Sequence, residues 1–382
     1  MKSVIQGIFQ DHFAAHCQTH KVPLRVIKAG HAIRKCRTAL LGGHIQKCPD
    51  GHVQRVWYNS CKHRACPVCA FMQITRWIRQ QVRKLIHCDY YHTIFTLPSQ
   101  LNSLWEFNRR LFTDLFFRAA WQSLQELLAD PKYLGALPGA IASFHSWAQT
   151  LFIHPHLHFL VTGGGLTAQG QWLAVRDDFL LPGRVLSAKF RGKFLAFLRQ
   201  TLQEGRLLLP PDLSPQRGLN LFNKLGRTKW HVQIMPPYKH GRGVIDYLGR
   251  YVRGGPVSSR RVTPHSEDSI LLRYKDETRT RILFMPLSIH EFLTRFLRHV
   301  PEKRVHLARG YGLFAPRKRA QLNAARQLLG QLPVTPPEEI SWQTACSLAG
   351  PEHPELCPVC GKPLIRVELS PTGLSPPCQK GA

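Results

Sequence analysis

Residues 151–161 read LFIHPHLHFLV, and the alternation inside this run decides how the rest of the chain is read. In a strand, alternate residues share a face. Leu151, Ile153, Pro155, Leu157, Phe159 and Val161 then form an unbroken apolar face, and Phe152, His154, His156, His158, Leu160 and Thr162 form the other. One half-exposed histidine would ask for no explanation; three in register do. Neighbours on one strand face sit roughly 6.6 Å apart, so an adjacent pair of imidazoles can converge on one ion while the outer pair stands about twice as far apart. Pro155 cannot donate to a ladder and belongs at a strand start or an edge. That selects His156 and His158 as the ordered pair. A third ligand is left open among His154, His145 and Gln149. For phosphate chemistry, two histidines with a further ligand and open water positions suit Mg²⁺ or Mn²⁺.

Outward from this run, residues 1–30 and 71–86 read as helical, and YYHTIFTLP (90–98) as a strand ended by proline. Residues 101–130 place Leu104, Phe107, Leu111, Leu115 and Ala119 at helical spacing. Residues 141–162 turn strand-like, and Gly163, Gly164 and Gly165 are expected to stop the strand and to let a DNA backbone approach. A helix over 187–205, a strand over 230–236, a helix over 244–252, a hairpin from 269–275 and 280–285, and a basic helical stretch over 287–330 follow. Strands and helices alternate without long apolar strand runs. The fold class is therefore α+β, with a central antiparallel sheet, flanking helices and one face toward solvent. The expected divisions are 1–85, a cysteine-rich part; 86–262, the part that holds the histidine run; 263–335, a basic helical part; and 336–382, a Pro-rich tail with a CxxC.

The 382 residues hold 52 Lys and Arg against 23 Asp and Glu, a formal charge of +29 spread along the whole length. Such a surplus fits a polyanion, and nucleic acid is the commonest, because phosphate neutralisation releases counterions. Hydrophobic residues make up 43% of the chain, enough for a sizeable core and against wholesale disorder. The first residues, MKSVIQGIFQDHFAAH, lack the apolar run of a secretory signal, and no stretch approaches the roughly 20 apolar residues of a membrane span. The expectation is a cytoplasmic protein acting at the nucleoid. Its 11 cysteines then read as metal ligands or buried thiols, not disulfides.

Residues 36–69, CRTALLGGHIQKCPDGHVQRVWYNSCKHRACPVC, concentrate those cysteines. Tetrahedral zinc takes four soft or borderline ligands, and two quartets account for the segment: Cys61, His63, Cys66 and Cys69, and Cys36, His44, Cys48 and His52. One or two structural Zn²⁺ ions are expected. Arg34, Lys35, Arg37, Lys62 and Arg64 would flank them for phosphate contact. A second CPVC, Cys357 and Cys360, offers half a site, to be completed by Cys378 or His353, or forms a dispensable tail. Trp57, Tyr58, Trp147 and Trp172 are either base-stacking platforms or core.

In GRGVIDYLGRYVR (241–253), Tyr247 and Tyr251 lie one helical turn apart. Val244, Ile245, Leu248 and Val252 form the apolar stripe, with both tyrosines on one flank and Asp246, Arg250 and Arg253 toward the far side. Alone, the pair reads as well as packing residues; beside a histidine strand it reads as chemistry.

HPHLHFLVTGGG, YLGRY, CRTALLGGH…YNSCKHRACPVC, YYHTIFTLP and FLRHVPEKRVHLARGYGLFAPRKRA together resemble the two-tyrosine transposases of rolling-circle insertion sequences, members of the HUH endonucleases. The likeness runs from about residue 34 to residue 330. It implies that His156, Leu157 and His158 are the histidine–hydrophobic–histidine triplet, that Tyr247 and Tyr251 are paired nucleophiles forming a 5′-phosphotyrosine on single-stranded DNA at element ends, and that the sheet is ferredoxin-like or palm-like with a zinc module before it. Two departures bear on ligands: His52 stands where relatives carry a cysteine shortly after the position of Cys48, and Ala65 stands where a histidine is common, with His63 nearby. Rival readings are a plasmid replication initiator or relaxase of the same chemistry, a noncatalytic zinc-containing nucleic-acid-binding protein, and a metal-dependent hydrolase using activated water.

Overall fold

The computed structural model describes residues 3–252, 254–276, 280–336, 339–349 and 353–369, without the side chains of Tyr247, Arg250, Tyr251, Val252, Leu348 and Ala349. Along the chain run α1 (Val4–Thr19), α2 (Leu24–Lys35), β1 (Gly43–Lys47), β2 (Gln54–Tyr58), α3 (Phe71–Val82), β3 (Tyr90–Thr96), α4 (Asn102–Phe107), α5 (Arg109–Leu128), β4 (Leu137–Trp147), β5 (Ile153–Leu166) and β6 (Trp172–Ala174). Then come α6 (Gly183–Gln203), α7 (Pro215–Gly226), β7 (Val232–Ile234), α8 (Arg242–Val252), β8 (Val262–Ser266), β9 (Ser269–Lys275), β10 (Ile282–Ser288), α9 (Ile289–Arg298), β11 (Ala308–Gly312), α10 (Arg319–Leu328), α11 (Trp342–Ala349) and β12 (Ile365–Leu369). The fold is α+β, and among the described residues every strand pairing is antiparallel.

The central sheet has the order β11-β4-β5-β3-β7, with β6 added to β5. The histidine run is β5, placed between β4 and β3. Its odd face, Leu157, Phe159 and Val161, is buried beneath α5 and α6 in a core rich in phenylalanine, including Phe95, Phe112, Phe116, Phe117, Phe144, Phe190 and Phe194. Several rings meet edge to face, as Phe95 and Phe159 do at 5.5 Å, the arrangement that ring quadrupoles favour. The even face of the same strand turns from apolar to imidazole along its length. At one end Leu160 packs with Ile141, Tyr90 and the α8 residues Val244, Ile245 and Leu248. At the other stand the histidines.

Gly163, Gly164 and Gly165 do not stop the strand: β5 runs on to Leu166, and all three are buried. A Cβ on Gly164 would sit 2.5 Å from the Trp172 ring, and one on Gly165 2.7 Å from the Leu137 carbonyl, so these glycines admit β6 and β4 rather than DNA.

Among the described residues there are two further three-stranded sheets, β12-β1-β2 and β10-β9-β8. The second packs with α9 against α1, α2 and the cysteines at 36, 66 and 69 in one core. Ser288 caps α9 by accepting the Glu291 N–H, the first half of a capping box. Residues 262–298 pack with the N-terminal helices, β11 pairs into the central sheet, and β12 pairs with β1. Local periodicity cannot report such joins, because they are made by long-range burial and strand pairing. Among the described residues no helix is long and apolar enough to cross a membrane.

Candidate functional site

β4 and β5 pair in the register Ile141↔Leu160, Ser143↔His158 and His145↔His156, which puts His145 beside the β5 histidines on one face. The pairing shifts between His145 and Trp147, opposite Pro155, whose missing donor is tolerated at such an irregularity. One ring nitrogen from each of His145, His156 and His158 falls within 4.8 Å of the others. Ring centroids lie 5.2 Å apart for His145 and His156, 4.6 Å for His145 and His158, and 4.8 Å for His156 and His158.

Two of these rings are oriented by partners. His156 Nδ1 lies 2.7 Å from the His154 carbonyl. A carbonyl only accepts, so Nδ1 carries the proton and the lone pair lies on Nε2. His158 Nδ1 lies 2.8 Å from Nε2 of buried His92, which β3 presents on the same face. His145 is buried under Trp147, whose ring stacks on it at 5.1 Å. Burial, then the charges that His156 and His92 would carry, hold its pKa well below the ordinary histidine value, so the ring stays neutral and able to ligate. Three converging, partly oriented imidazoles fit a divalent ion.

Of the open third ligands, the geometry brings in His145. Gln149 is engaged elsewhere, its side-chain oxygen accepting from the Lys275 N–H and its carbonyl from Arg261. His154 stands exposed at the mouth, its ring 5.2 Å from that of His156. His92 was not singled out in the sequence; its parity within YYHTIFTLP, two residues from Ile94, which pairs with His158, was the available signal.

α8 lies over this face. Its stripe of Val244, Ile245 and Leu248 is buried against Ile141 and Leu160, the pair next to Ser143↔His158 in the β4–β5 register. It also crosses α3 closely: a Cβ on Gly249 would meet Ile78 at 2.5 Å. Tyr247 and Tyr251 fall within this helix, which thus starts from the same sheet face as the imidazoles. The side-chain assignments made for Tyr247, Tyr251, Arg250 and Arg253 lie outside the described residues.

The cysteines group differently from the expected quartets. Cys36, at the end of α2, joins Cys61, Cys66 and Cys69, with ligand atoms within 4.8 Å and Cys61 and Cys69 sulfurs 3.6 Å apart. His63 is not in this group; its Nδ1 accepts the Ala65 N–H within its own turn. Cys48 and His52 instead meet Cys357 and Cys360. His44 joins neither: it sits buried in β1, paired with Trp57 on β2 and Glu368 on β12. Sequence proximity suggested the other partition; the fold of α2 and the return of the C-terminal segment decide this one. Lys35, Arg37 and Lys62 are exposed around the first quartet. Arg34 is half-buried, and Arg64 donates to the Val305 carbonyl at 2.9 Å, tying the module to the body of the protein.

Residues 139–321 match a family model described as "Putative transposase", and residues 8–97 one described as "Transposase zinc-binding domain". The chain is 37% identical over 314 residues to "Putative transposase y4qJ" of Sinorhizobium fredii (strain NBRC 101917 / NGR234), covering 80% of this chain and 79% of that one. It is 31% identical over 294 residues to the "Transposase for insertion sequence element IS801" of Pseudomonas savastanoi pv. phaseolicola, covering 74% and 68%. Among solved structures, a conjugative relaxase TrwC in complex with oriT DNA aligns over 41% of this chain and 67% of its own at 12% identity and a TM-score of 0.22, too distant a likeness to carry an argument. The chain belongs to the insertion-sequence transposases of the IS91 and IS801 type and carries their zinc-binding domain.

Proposed function

We propose that this transposase nicks and rejoins single-stranded DNA at the ends of its element, with a tyrosine of α8 as nucleophile and His145, His156 and His158 as the ligands of a catalytic Mg²⁺ or Mn²⁺. The observation that carries the reading is the shared face: the α8 stripe docks on Ile141 and Leu160, and the same two strands place the three imidazoles one and two pairs further along. Replication-initiator or relaxase roles would use the same chemistry; family membership favours the transposase.

A divalent ion held by these imidazoles would polarise the scissile phosphate and offset charge on the leaving oxygen. The protein supplies the rest. His92 and the His154 carbonyl fix two ring orientations before DNA arrives. An ordinary phenol has a pKa near ~10, so a tyrosine nucleophile on this helix needs the cation-rich surroundings to ionise. Its Oη attacks phosphorus, the P–O3′ bond breaks, and the 3′ oxygen takes a proton. A 5′-phosphotyrosine and a free 3′-OH result. The exchange conserves one phosphodiester-type bond, so rejoining needs no ATP, and the second tyrosine can cut again while the first end is held. Zinc on Cys36, Cys61, Cys66 and Cys69 serves structure, presenting Lys35, Arg37 and Lys62 to phosphates.

A labelled single strand carrying the element terminus, incubated with the protein and Mn²⁺ or Mg²⁺ and run on a denaturing gel, tests this. A DNA-linked protein band that disappears with EDTA is expected. Cleavage without a band would replace the tyrosine by activated water, and binding without cleavage would return the protein to a noncatalytic role.

A further inference from the structure

We infer that Cys48, His52, Cys357 and Cys360 form a second zinc site, one that clasps the C-terminal segment onto the N-terminal module. The four ligand atoms lie within 4.8 Å of one another. Cys48 Sγ is 3.5 Å from His52 Nδ1 and 3.6 Å from Cys360 Sγ, although Cys48 and Cys360 are 312 positions apart in sequence. With Zn–S near ~2.3 Å and Zn–N near ~2.0 Å, the edges of a tetrahedral site are about 3.5–3.8 Å, so both separations match. The cysteines are free thiols, and Cys48 and Cys357 are buried.

The backbone on both sides is built alike. Cys48-Pro49-Asp50-Gly51-His52 turns with the Gly51 N–H on the Cys48 carbonyl and Gly51 at φ +79°. Cys357-Pro358-Val359-Cys360-Gly361 turns with the Gly361 N–H on the Cys357 carbonyl and Gly361 at φ +70°. Each left-handed glycine lets the chain close a tight loop around its pair of ligands. A strand leads to each loop: β1 ends at Lys47, and β12 begins at Ile365, paired to it from Lys47↔Ile365 to Gly43↔Leu369. Lys362 Nζ lies 2.9 Å from Asp50 Oδ1, a link between the two loops. The half-site of the C-terminal CPVC is thus completed by the N-terminal module. His353 is not in the cluster, and Cys378 lies outside the described residues.

A structural ion here joins segments that a short three-stranded sheet alone would hold weakly. Binding requires the three thiols to lose their protons and the imidazole to be neutral, with no change of oxidation state.

The test is thiol-bound zinc in the full-length protein, released by a mercurial reagent and measured with a chromophoric indicator. It reads only ions on cysteine, whatever the histidine cluster holds and whether or not DNA is cut. The wild type is expected to release about two equivalents per chain and C357S/C360S about one. The milder H52A, which leaves every cysteine in place, is expected to lose the same single equivalent under competition from a weak chelator. Two tightly held equivalents in C357S/C360S, or one in the wild type, would overturn the site.

Discussion

The two faces of the central sheet are made by the same strands yet built to opposite rules. On one, Phe95, Phe144, Leu157 and Phe159 meet the phenylalanines of α5 and α6 in a largely apolar core. On the other, apolar packing covers only the end where α8 docks, and the rest is a cluster of imidazoles held by each other, by His92 and by a backbone carbonyl. The first face stabilises the domain by area removed from water. The second holds ligand groups that the alternation of β4 and β5 turns away from that core.

Breaking the two faces separately should therefore break different things. Replacing His156 and His158 together by Ala is expected to cut single-strand cleavage by about a thousandfold or more, since several kcal/mol of charge stabilisation go with the ion, while the thermal transition stays near that of the wild type. A cleavage rate within tenfold of the wild type would detach the histidines from the chemistry. Phe159→Ala, on the buried face, is expected to cost about 3–5 kcal/mol in denaturant unfolding while metal affinity of the folded fraction is kept. His92→Ala should sharpen the contrast at the edge of the site: about 10–100-fold weaker metal binding, read by titration calorimetry, with a restoring effect from Gln if its role is to hold His158. A further effect, on stability alone, is with pH. His299 bridges Ser146 Oγ and the Leu151 carbonyl, and burial is the chief cause pushing its pKa down to about 3 from the usual 6.5. The unfolded chain takes that proton first, so stability is full above pH 6.5 and falls as pH drops from there toward 3. His299→Gln should flatten this part of the stability profile.

Much of the site was legible because its patterns are local. Period two in LFIHPHLHFLV put His156 and His158 on one face, and period 3.6 in VIDYLGRY set a stripe on α8 that the sheet accepts. What depends on distant partners was not. Gly163–Gly165 read as a stop, whereas they are the flat places where β6 and β4 come close. ARGYG (Ala308–Gly312) has little strand character of its own, and is a strand because it finds the edge of β4. The zinc quartets were divided by nearness in sequence, while Cys36 reaches its partners through α2 and Cys48 finds Cys360 from the other end of the chain. His92 was missed for the same reason: its contact with His158 exists only once β3 lies beside β5.

Peptide mapping of the covalent adduct decides whether the tyrosines of α8 react over the histidine face. After cleavage of a terminus-bearing single strand, the DNA is trimmed by nuclease, the protein digested with trypsin and the phosphotyrosyl peptides sequenced by mass spectrometry. The nucleotide remnant is expected on Tyr247 or Tyr251, within residues 243–253. A remnant on any other tyrosine, such as Tyr238 or Tyr311, would contradict it.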